Sequence, residues 1–289
     1  MNASLKNLKI LYWRIESFIF EIYTRFMLNR APQKKHNLDS KLLISFTSYK
    51  PRFKKVHLTI KSLLSQSVKP DLIILWVSHA DYDLLPEKVT KLEEEYKYFK
   101  IKPCDDLKSY KKLIPAIINY PEYYIVTADD DLFYPRSWLE RLTSKVDGSD
   151  SIIAHRTHAV SYENGEMLSY NKWLKSVLAT NNRVLFPTTG AGVIYPPNCF
   201  HTDVTNKEIF LELCPTADDI WFFWMAKLHR TQIIHSGYNF NTVSWLGTDI
   251  GGLAEQNVIG LKNDIYIRNL KLKYGDPTQL CKIDDTLCP

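Results

Sequence analysis

Residues 125–135 read IVTADDDLFYP: an apolar run, one small residue, three consecutive aspartates and, four residues later, a proline. The apolar run predicts a buried strand, and the aspartates then stand where this strand ends. Like charges this close repel each other, and burying one of them without a partner is costly. The stretch therefore predicts a positive partner at this point, either a basic side chain or a metal ion.

The composition fits a globular chain with an uneven charge. Of 289 residues, 45% are hydrophobic and 13% aromatic, which is enough for a sizeable core. Residues 1–61 hold 13 Lys/Arg against 3 Asp/Glu, whereas the remainder holds 24 against 29. This distribution predicts an anionic surface or ligand near the N-terminus. The five scattered cysteines form no CxxC pair, which fits a reducing compartment and argues against a zinc site.

The first 36 residues predict an amphipathic helix followed by a basic linker. Charged residues interrupt the apolar stretch too often for a membrane-spanning helix. An apolar stripe at helical spacing runs through it, with basic residues on its flanks: Leu8, Leu11, Ile15, Phe18, Ile22 and Phe26. Such a helix either lies on a membrane surface, as expected of a peripheral protein on the inner face of the cell membrane, or packs on the body or against a second subunit.

From residue 37 the pattern changes to short apolar runs that alternate with helical ones. Runs at 41–48, 72–78, 99–104 and 123–128 predict strands, and amphipathic stretches between them predict crossover helices. The predicted fold class is α/β, with a mostly parallel central sheet flanked by helices. We expect one domain over 37–245, with a first half at 37–135 and a second at 136–245, and a C-terminal extension at 246–289.

The aspartate triplet has two interpretations. Asp129 and Asp131 are two positions apart, so on an extended strand they point to the same side, with Asp130 turned away. Ligands of parallel sheets bind beyond the carboxyl ends of the strands, and carboxylate oxygens suit Mn²⁺ or Mg²⁺. The alternative is a polar loop before the next helix.

The order of two motifs, TSYKPR (47–52) after the first strand and IVTADDD (125–131) after the fourth, resembles the nucleotide-sugar-binding half of GT-A fold glycosyltransferases. The sequence pattern over roughly residues 41–245 is most similar to that of bacterial polysaccharide glycosyltransferases of the family 2 type. The resemblance implies a Rossmann-type GT-A-like fold, with Asp129, Asp130 and Asp131 matching the DXD motif that holds a divalent ion on the donor diphosphate. It also implies a nucleotide-diphospho-sugar donor, with UDP-sugars favoured, and a glycan or lipid-linked acceptor in cytoplasmic synthesis of a bacterial surface polysaccharide.

A second acidic motif lies in CPTADDIWFFWM (214–225). Thr216 and Asp219 have the spacing of a capping box, so helix capping alone is one explanation. The resemblance implies instead that Asp219, beside Asp218, is the catalytic base of an inverting enzyme. Trp221 follows at once and is a candidate platform for an acceptor sugar.

The remaining candidates are assigned by their place after predicted strands. Donor-binding candidates follow the first, third and fourth strands: Thr47, Tyr49, Arg52, Asp106, Lys112, Asp129 and Asp130. The resemblance offers His235 as a third metal ligand beside Asp131 and Asp129. Gly190 and Trp245 join Trp221 as acceptor-binding candidates.

Three other functions compete with this interpretation. A non-catalytic nucleotide-sugar-binding or assembly subunit would keep Asp131 without needing Asp219. A metal-dependent phosphohydrolase or nucleotidyltransferase would also gather aspartates around a metal ion. Nucleic-acid binding is disfavoured by the acidic body and by the apolar stripe in the basic N-terminus.

Overall fold

The computed structural model describes residues 3–26, 33–178, 183–238, 242–248 and 262–279. The helices in these ranges are α1 (Ala3–Phe26), α2 (Phe53–Leu64), α3 (His79–Tyr82), α4 (Glu87–Glu95), α5 (Ile114–Asn119), α6 (Trp138–Thr143), α7 (Lys207–Leu213), α8 (Asp218–Leu228) and α9 (Lys262–Tyr274). The strands are β1 (Lys34–Lys35), β2 (Leu42–Thr47), β3 (Val68–Lys69), β4 (Leu72–Ser78), β5 (Phe99–Cys104), β6 (Tyr124–Thr127), β7 (Leu132–Phe133), β8 (Ile152–Ala154), β9 (Thr157–Ala159), β10 (Tyr162–Glu163), β11 (Glu166–Met167), β12 (Leu185–Pro187), β13 (Val193–Tyr195), β14 (Ile233–His235) and β15 (Val243–Ser244).

A seven-stranded sheet forms the centre of the described part of the chain, in the order β14-β8-β13-β6-β2-β4-β5. Neighbouring strands are parallel except at β13, which runs antiparallel to both β6 and β8. The predicted α/β class with a mostly parallel central sheet is therefore confirmed. Because β2, β4, β5 and β6 are parallel, their carboxyl ends meet at one edge of the sheet, where the site lies.

Both faces of the sheet are covered, as the unbroken apolar runs of its central strands predict. Alternate residues of each strand face opposite sides. One face packs against α2, α4 and α6, through residues such as Val56, Leu92 and Trp138. The other packs against α5, α7, α8 and α9, through residues such as Phe210 and Leu270.

The segment SYKKLIPAIINY (109–120) does not form the single helix that its pattern predicts. A 3₁₀ turn spans Lys108–Lys112, and α5 begins only at Ile114. Pro115 lies in the first turn of α5, where its missing N–H costs nothing. The break matters because it turns Lys112 towards the aspartates.

The expected domain boundaries stay predictions, and two sets of contacts join their outer segments to the central part. Strand β1 pairs in parallel with β3, and the His36 Nε2 atom lies 2.8 Å from Asp71 Oδ2, so residues 34–36 are joined to the body. In the C-terminal extension, Leu270 of α9 is fully buried, and Tyr266 bonds Thr216 just before α8. Residues 280–289, which include Cys281 and Cys288, lie outside the described residues.

No helix in the described ranges has the length and apolar character needed to cross a bilayer.

Candidate functional site

A cavity of about 660 Å³ opens at the carboxyl ends of β2 and β6. It collects most of the residues that the sequence singled out, from five separate segments: Thr47, Tyr49, Arg52, Asp106, Lys112, Asp129, Asp130, Asp131, Gly190, Asp218 and Asp219. Their assembly in one cavity follows from the parallel strands, which bring the loops after them to the same edge.

Asp130 and Asp131 share one cation. Arg52 Nη1 lies 2.7 Å from Asp130 Oδ1 and 2.8 Å from Asp131 Oδ2, and Asp130 also accepts a hydrogen bond from Ser48 Oγ. The expected alternation, with Asp129 and Asp131 on one side and Asp130 turned away, is wrong. Strand β6 ends at Thr127, and Asp130–Asp131 form a turn in which strand alternation no longer applies.

Asp129 pairs with a different cation. The Nζ atom of the buried Lys112 lies 2.7 Å from Asp129 Oδ1 and 3.4 Å from Asp218 Oδ2, and it donates to Thr189 Oγ1 at 3.0 Å. One ammonium group thus connects the aspartate triplet to the acidic pair at the start of α8. Asp218 Oδ2 has no hydrogen-bond partner within the described residues.

Two buried hydroxyl groups hold the triplet from behind, and the sequence analysis missed both. The Tyr134 hydroxyl accepts a hydrogen bond from the Asp129 backbone N at 2.7 Å and donates to the Gly190 carbonyl at 2.8 Å. The Thr59 hydroxyl donates to the Asp130 carbonyl at 2.8 Å. Tyr134 lies in the quoted stretch itself, but nothing in a tyrosine three residues past the triplet indicates which way its ring turns.

Gly190 is required by the close approach of two segments. It belongs to the 3₁₀ turn Thr189–Ala191, and a Cβ atom built on it would overlap the Asp129 carboxylate. Glycine is the residue that permits such contact. Gly190 therefore lines the cavity beside the triplet.

We predict that Gly190→Ala lowers the free energy of unfolding by about 1–3 kcal/mol, because the added methyl group displaces Asp129 from Lys112. Thermal unfolding without ligand measures this loss. The matched control is the same substitution in an Asp129→Ala background, where the overlap is gone and the added loss is expected to vanish. An equal loss in both backgrounds would contradict the explanation.

Asp219 faces the cavity from the first turn of α8. Its Oδ1 accepts hydrogen bonds from the Thr189 hydroxyl and, at 3.3 Å, from the Thr189 backbone N. The capping-box interpretation is wrong, because α8 begins at Asp218, Ala217 is its N-cap, and Thr216 bonds Tyr266 instead. Burial, and then the charge of Asp218, raise the pKa of Asp219 to about 6.

The three carboxyl groups of the triplet differ in the direction in which their pKa values are shifted. Burial alone would raise the pKa of Asp129, but the Lys112 ammonium lowers it overall. Burial raises the pKa of Asp130 in spite of Arg52. Burial and the charges of Asp130 and Asp129 raise the pKa of Asp131 to about 7. Among the described residues, seven aspartates and five Lys/Arg side chains line the cavity, so carboxyl groups outnumber cations there.

The donor set suits a hard divalent cation. No three His, Cys, Asp or Glu side chains in the described ranges are arranged to hold a metal ion by themselves. Mg²⁺ is commonly held by one or two carboxylates together with substrate phosphates and water, so a complete protein cage is not needed. Asp131 and Asp129 line the cavity and offer oxygen ligands of this kind.

Three predicted site residues lie elsewhere, and these assignments are corrected. Trp221 and Trp245 are fully buried: Trp221 Nε1 donates to the Val204 carbonyl and Trp245 Nε1 to Thr59 Oγ1, so neither ring can receive a sugar. His235 does not line the cavity. The register places it three strands from Thr127, roughly 14 Å away at the usual strand spacing.

Other residues line the cavity without having been predicted as site residues. Tyr170 and Arg156 come from the segments around β9, and Thr248 and Asn263 from the C-terminal extension. The Asn263 Oδ1 atom is buried and has no partner within the described residues. No local motif marks these positions, since each reaches the cavity only through long-range packing.

No protein-family model and no curated sequence matches the chain. Among solved structures, it is similar to S. aureus TarS 1–349, with 14% identity over 78% of this chain and 64% of that one and a TM-score of 0.47. It is also similar to a 4-diphosphocytidyl-2C-methyl-D-erythritol synthase, with 11% identity over 71% of this chain and 94% of that one and a TM-score of 0.40. A third is the inositol-1-phosphate CTP transferase from T. maritima, with 10% identity over 82% and 98% and a TM-score of 0.38. At these values the likeness is limited to the general fold.

Proposed function

We propose that the chain is a metal-dependent glycosyltransferase that moves a sugar from a nucleotide-diphospho-sugar to an acceptor hydroxyl with inversion. The proposal rests on one observation. Two sets of acidic residues, the aspartate triplet and the pair Asp218–Asp219, face one cavity, and Lys112 contacts both sets. One group, with Arg52, suits a diphosphate and a divalent ion. The other contains Asp219, whose pKa near 6 suits a base at neutral pH.

The donor would lie along the aspartate triplet and the loop after β2. Tyr49 is 40% exposed at the cavity, and its ring centroid lies 5.8 Å from the Arg52 guanidinium, so it offers a face to a nucleotide base. Arg52 and Lys112 offer cations to the phosphates. Bound Mn²⁺ or Mg²⁺, held by Asp131 and Asp129, would offset the charge that develops on the leaving nucleoside diphosphate. A UDP-sugar is the favoured donor.

The acceptor would enter from the side of Asp219. Its carboxylate takes the proton of the acceptor hydroxyl, the acceptor oxygen forms a bond to the anomeric carbon, and the bond from that carbon to the diphosphate oxygen breaks. The electron pair of the broken bond leaves with the nucleoside diphosphate. Thr189 holds the Asp219 carboxylate in place during this transfer. A glycan or lipid-linked glycan of a bacterial surface polysaccharide, made at the cytoplasmic side, is the proposed acceptor.

The acidic pair favours this function over its alternatives. A non-catalytic binder has no need for a partly buried carboxylate with a pKa near the working pH, since such a group destabilises the fold at neutral pH. Phosphohydrolase or nucleotidyltransferase chemistry at the same triplet would release different products. Glycosyl transfer releases a nucleoside diphosphate, whereas nucleotidyl transfer releases pyrophosphate.

We predict metal-dependent thermal stabilisation by one nucleotide among UDP, GDP, CMP and dTDP. A ligand at a hundredfold excess over its dissociation constant raises the free energy of unfolding by about 2.7 kcal/mol. The shift should require Mn²⁺ or Mg²⁺ and should be lost in Asp131→Ala. Asp105→Ala is a matched control, because Asp105 pairs with Lys207 at an exposed position and does not line the cavity.

A shift with UDP, followed by release of UDP from a UDP-sugar, would support the proposal. Equal shifts in wild type and Asp131→Ala, or no shift with any nucleotide, would contradict it. Release of pyrophosphate from a nucleoside triphosphate would move the assignment to nucleotidyl transfer.

A further inference from the structure

The N-terminal helix α1 packs with its polar side inward and its apolar side outward. Its inner side contains the buried Ser17, Glu21 and Thr24, and Ser17 Oγ donates to the Ser244 carbonyl at 2.7 Å. Its outer side carries large apolar side chains that are 40–72% exposed: Tyr12, Ile15, Phe18, Ile19, Ile22, Tyr23 and Phe26. We call these seven residues the outer face of α1.

The outer face is continuous. At 100° per residue, its seven positions fall within an arc of about 140°. Ile15, Phe18, Ile22 and Phe26 of the predicted stripe lie on this face, and all four are at least 44% exposed. Isolated exposed apolar residues are ordinary, whereas a contiguous row of this kind marks an interaction surface.

A group of cations lies beside the C-terminal end of this face. Arg25 and Lys55 both pair with Glu21 of α1. Burial lowers the pKa of His57 to about 3, and the positive charges of Lys88, Lys61, Arg25 and Lys55 act in the same direction. We call these four residues the basic rim. Glu21 offsets part of this charge through Lys55 and Arg25, so the rim retains a net positive charge.

We propose that the outer face of α1 and the basic rim dock the protein on an anionic lipid membrane, with the apolar arc in the headgroup–acyl boundary and the rim over the headgroups. Apolar area and adjacent positive charge are the two components that interfacial helices use. A second copy of this chain fits less well, because a two-fold interface would bring two basic rims to the same interface. The proposal does not depend on the transferase activity.

The same helix lies close to the aspartate triplet. The Phe20 ring stacks on Phe133 with centroids 4.4 Å apart, and Ser17 holds the Ser244 carbonyl. The next residue, Trp245, donates from its backbone N to the Asp131 carbonyl at 2.9 Å. A membrane bound at the outer face would thus lie on the other side of α1 from the loop that carries the donor-side carboxylates.

Flotation of the full chain with vesicles tests the proposal. Wild type should bind an equimolar phosphatidylcholine–phosphatidylglycerol mixture and bind phosphatidylcholine alone much more weakly. Replacing Ile15, Ile19 and Phe26 with glutamine should weaken binding about a hundredfold or more, because large apolar side chains no longer enter the boundary. Lys61→Gln with Lys88→Gln should weaken it roughly 10- to 30-fold, an effect that salt should abolish.

The matched control replaces exposed apolar residues away from α1, Ile118→Gln with Leu272→Gln, which are 59% and 81% exposed in wild type. This control should bind vesicles as wild type does, and circular dichroism should be unchanged in all variants. Absence of wild-type binding to the anionic mixture, or equal loss in the control, would overturn the proposal. A wild-type dimer that the triple glutamine variant converts to a monomer, with no change in vesicle binding, would assign the face to a second copy instead.

Discussion

Replacing Asp219 with asparagine is expected to lower kcat by about a thousandfold while the protein stays folded, because general-base catalysis typically contributes 10²–10⁴-fold. The amide can still accept the hydrogen bond from Thr189, so the local geometry is retained. It cannot take the acceptor proton. Initial rates of nucleoside diphosphate release, measured with the donor identified by thermal shift, give the size of the loss.

The same substitution is expected to stabilise the protein at neutral pH. The pKa of Asp219 is raised from 3.8 to about 6, so between these values the folded state holds a proton that the unfolded state has released. The stability of wild type therefore falls as pH rises through this window, by about 3 kcal/mol in all at 1.36 kcal/mol per pKa unit. Asparagine does not titrate, so the variant should be as stable as wild type near pH 3 and more stable by the full amount near pH 7. Thermal unfolding at both pH values measures the difference.

Asp218→Asn is the neighbouring control. It leaves Asp219 and its Thr189 partner in place and removes only one of the two carboxylates that contact Lys112. A smaller loss of kcat is expected, with the acidic limb of the pH profile moved below 6, because the charge of Asp218 is one of the causes that raise the pKa of Asp219. If Asp218→Asn lost the thousandfold factor and Asp219→Asn did not, the base would be Asp218 and the assignment would be wrong.

The strands and the site edge were predictable because they depend on local periodicity. The predicted strands at 72–78 and 99–104 match β4 and β5 residue for residue. Once those strands are parallel, the loops after them share an edge, which is why Arg52, Lys112 and the triplet meet. Pattern and topology were sufficient for this part of the site.

The errors concern packing between distant segments. The aromatic character of Trp221 and Trp245 is clear from the sequence, but whether each faces the cavity depends on α7, α9 and α1, which cover them. His235 was misplaced because β8 and the antiparallel β13 lie between β14 and β6. The outward turn of the apolar face of α1 likewise depends on the polar contacts of Ser17 and Glu21 with the body.

The three carboxylates at the end of β6 have protein cations as partners. The sequence left a basic side chain and a metal ion as alternatives, and Arg52 and Lys112 occupy the first role. They do not balance the whole cavity, since seven aspartates and five Lys/Arg side chains of the described ranges line it. The two alternatives are therefore compatible. Arg52 and Lys112 pair with the carboxylates when no donor is bound, and we propose that a divalent ion binds together with the donor diphosphate.

Lys112→Met is expected to cause the largest loss of stability, about 2–4 kcal/mol near pH 7, because it leaves the buried Asp218 and the 35%-exposed Asp129 without their shared cation. The Lys112 ammonium lowers the pKa of Asp129, so the pair contributes stability above the ordinary pKa of an aspartate and loses it as pH falls. The difference between wild type and variant should therefore shrink as pH falls below about 4. Urea unfolding at several pH values measures it.

The adjacent Lys111 provides the matched control. Lys111 pairs with Asp106, whose carboxylate is 66% exposed and is solvated by water once its partner is gone. Lys111→Met should therefore cost less than about 1 kcal/mol. Lys112→Met with Asp129→Asn should recover part of the loss, because one of the stranded charges is removed. If both lysine variants lost the same stability, or if the double variant recovered nothing, the cost would come from the lost side-chain packing rather than from unpaired carboxylates, and Lys112 would not connect the donor side of the cavity to its base.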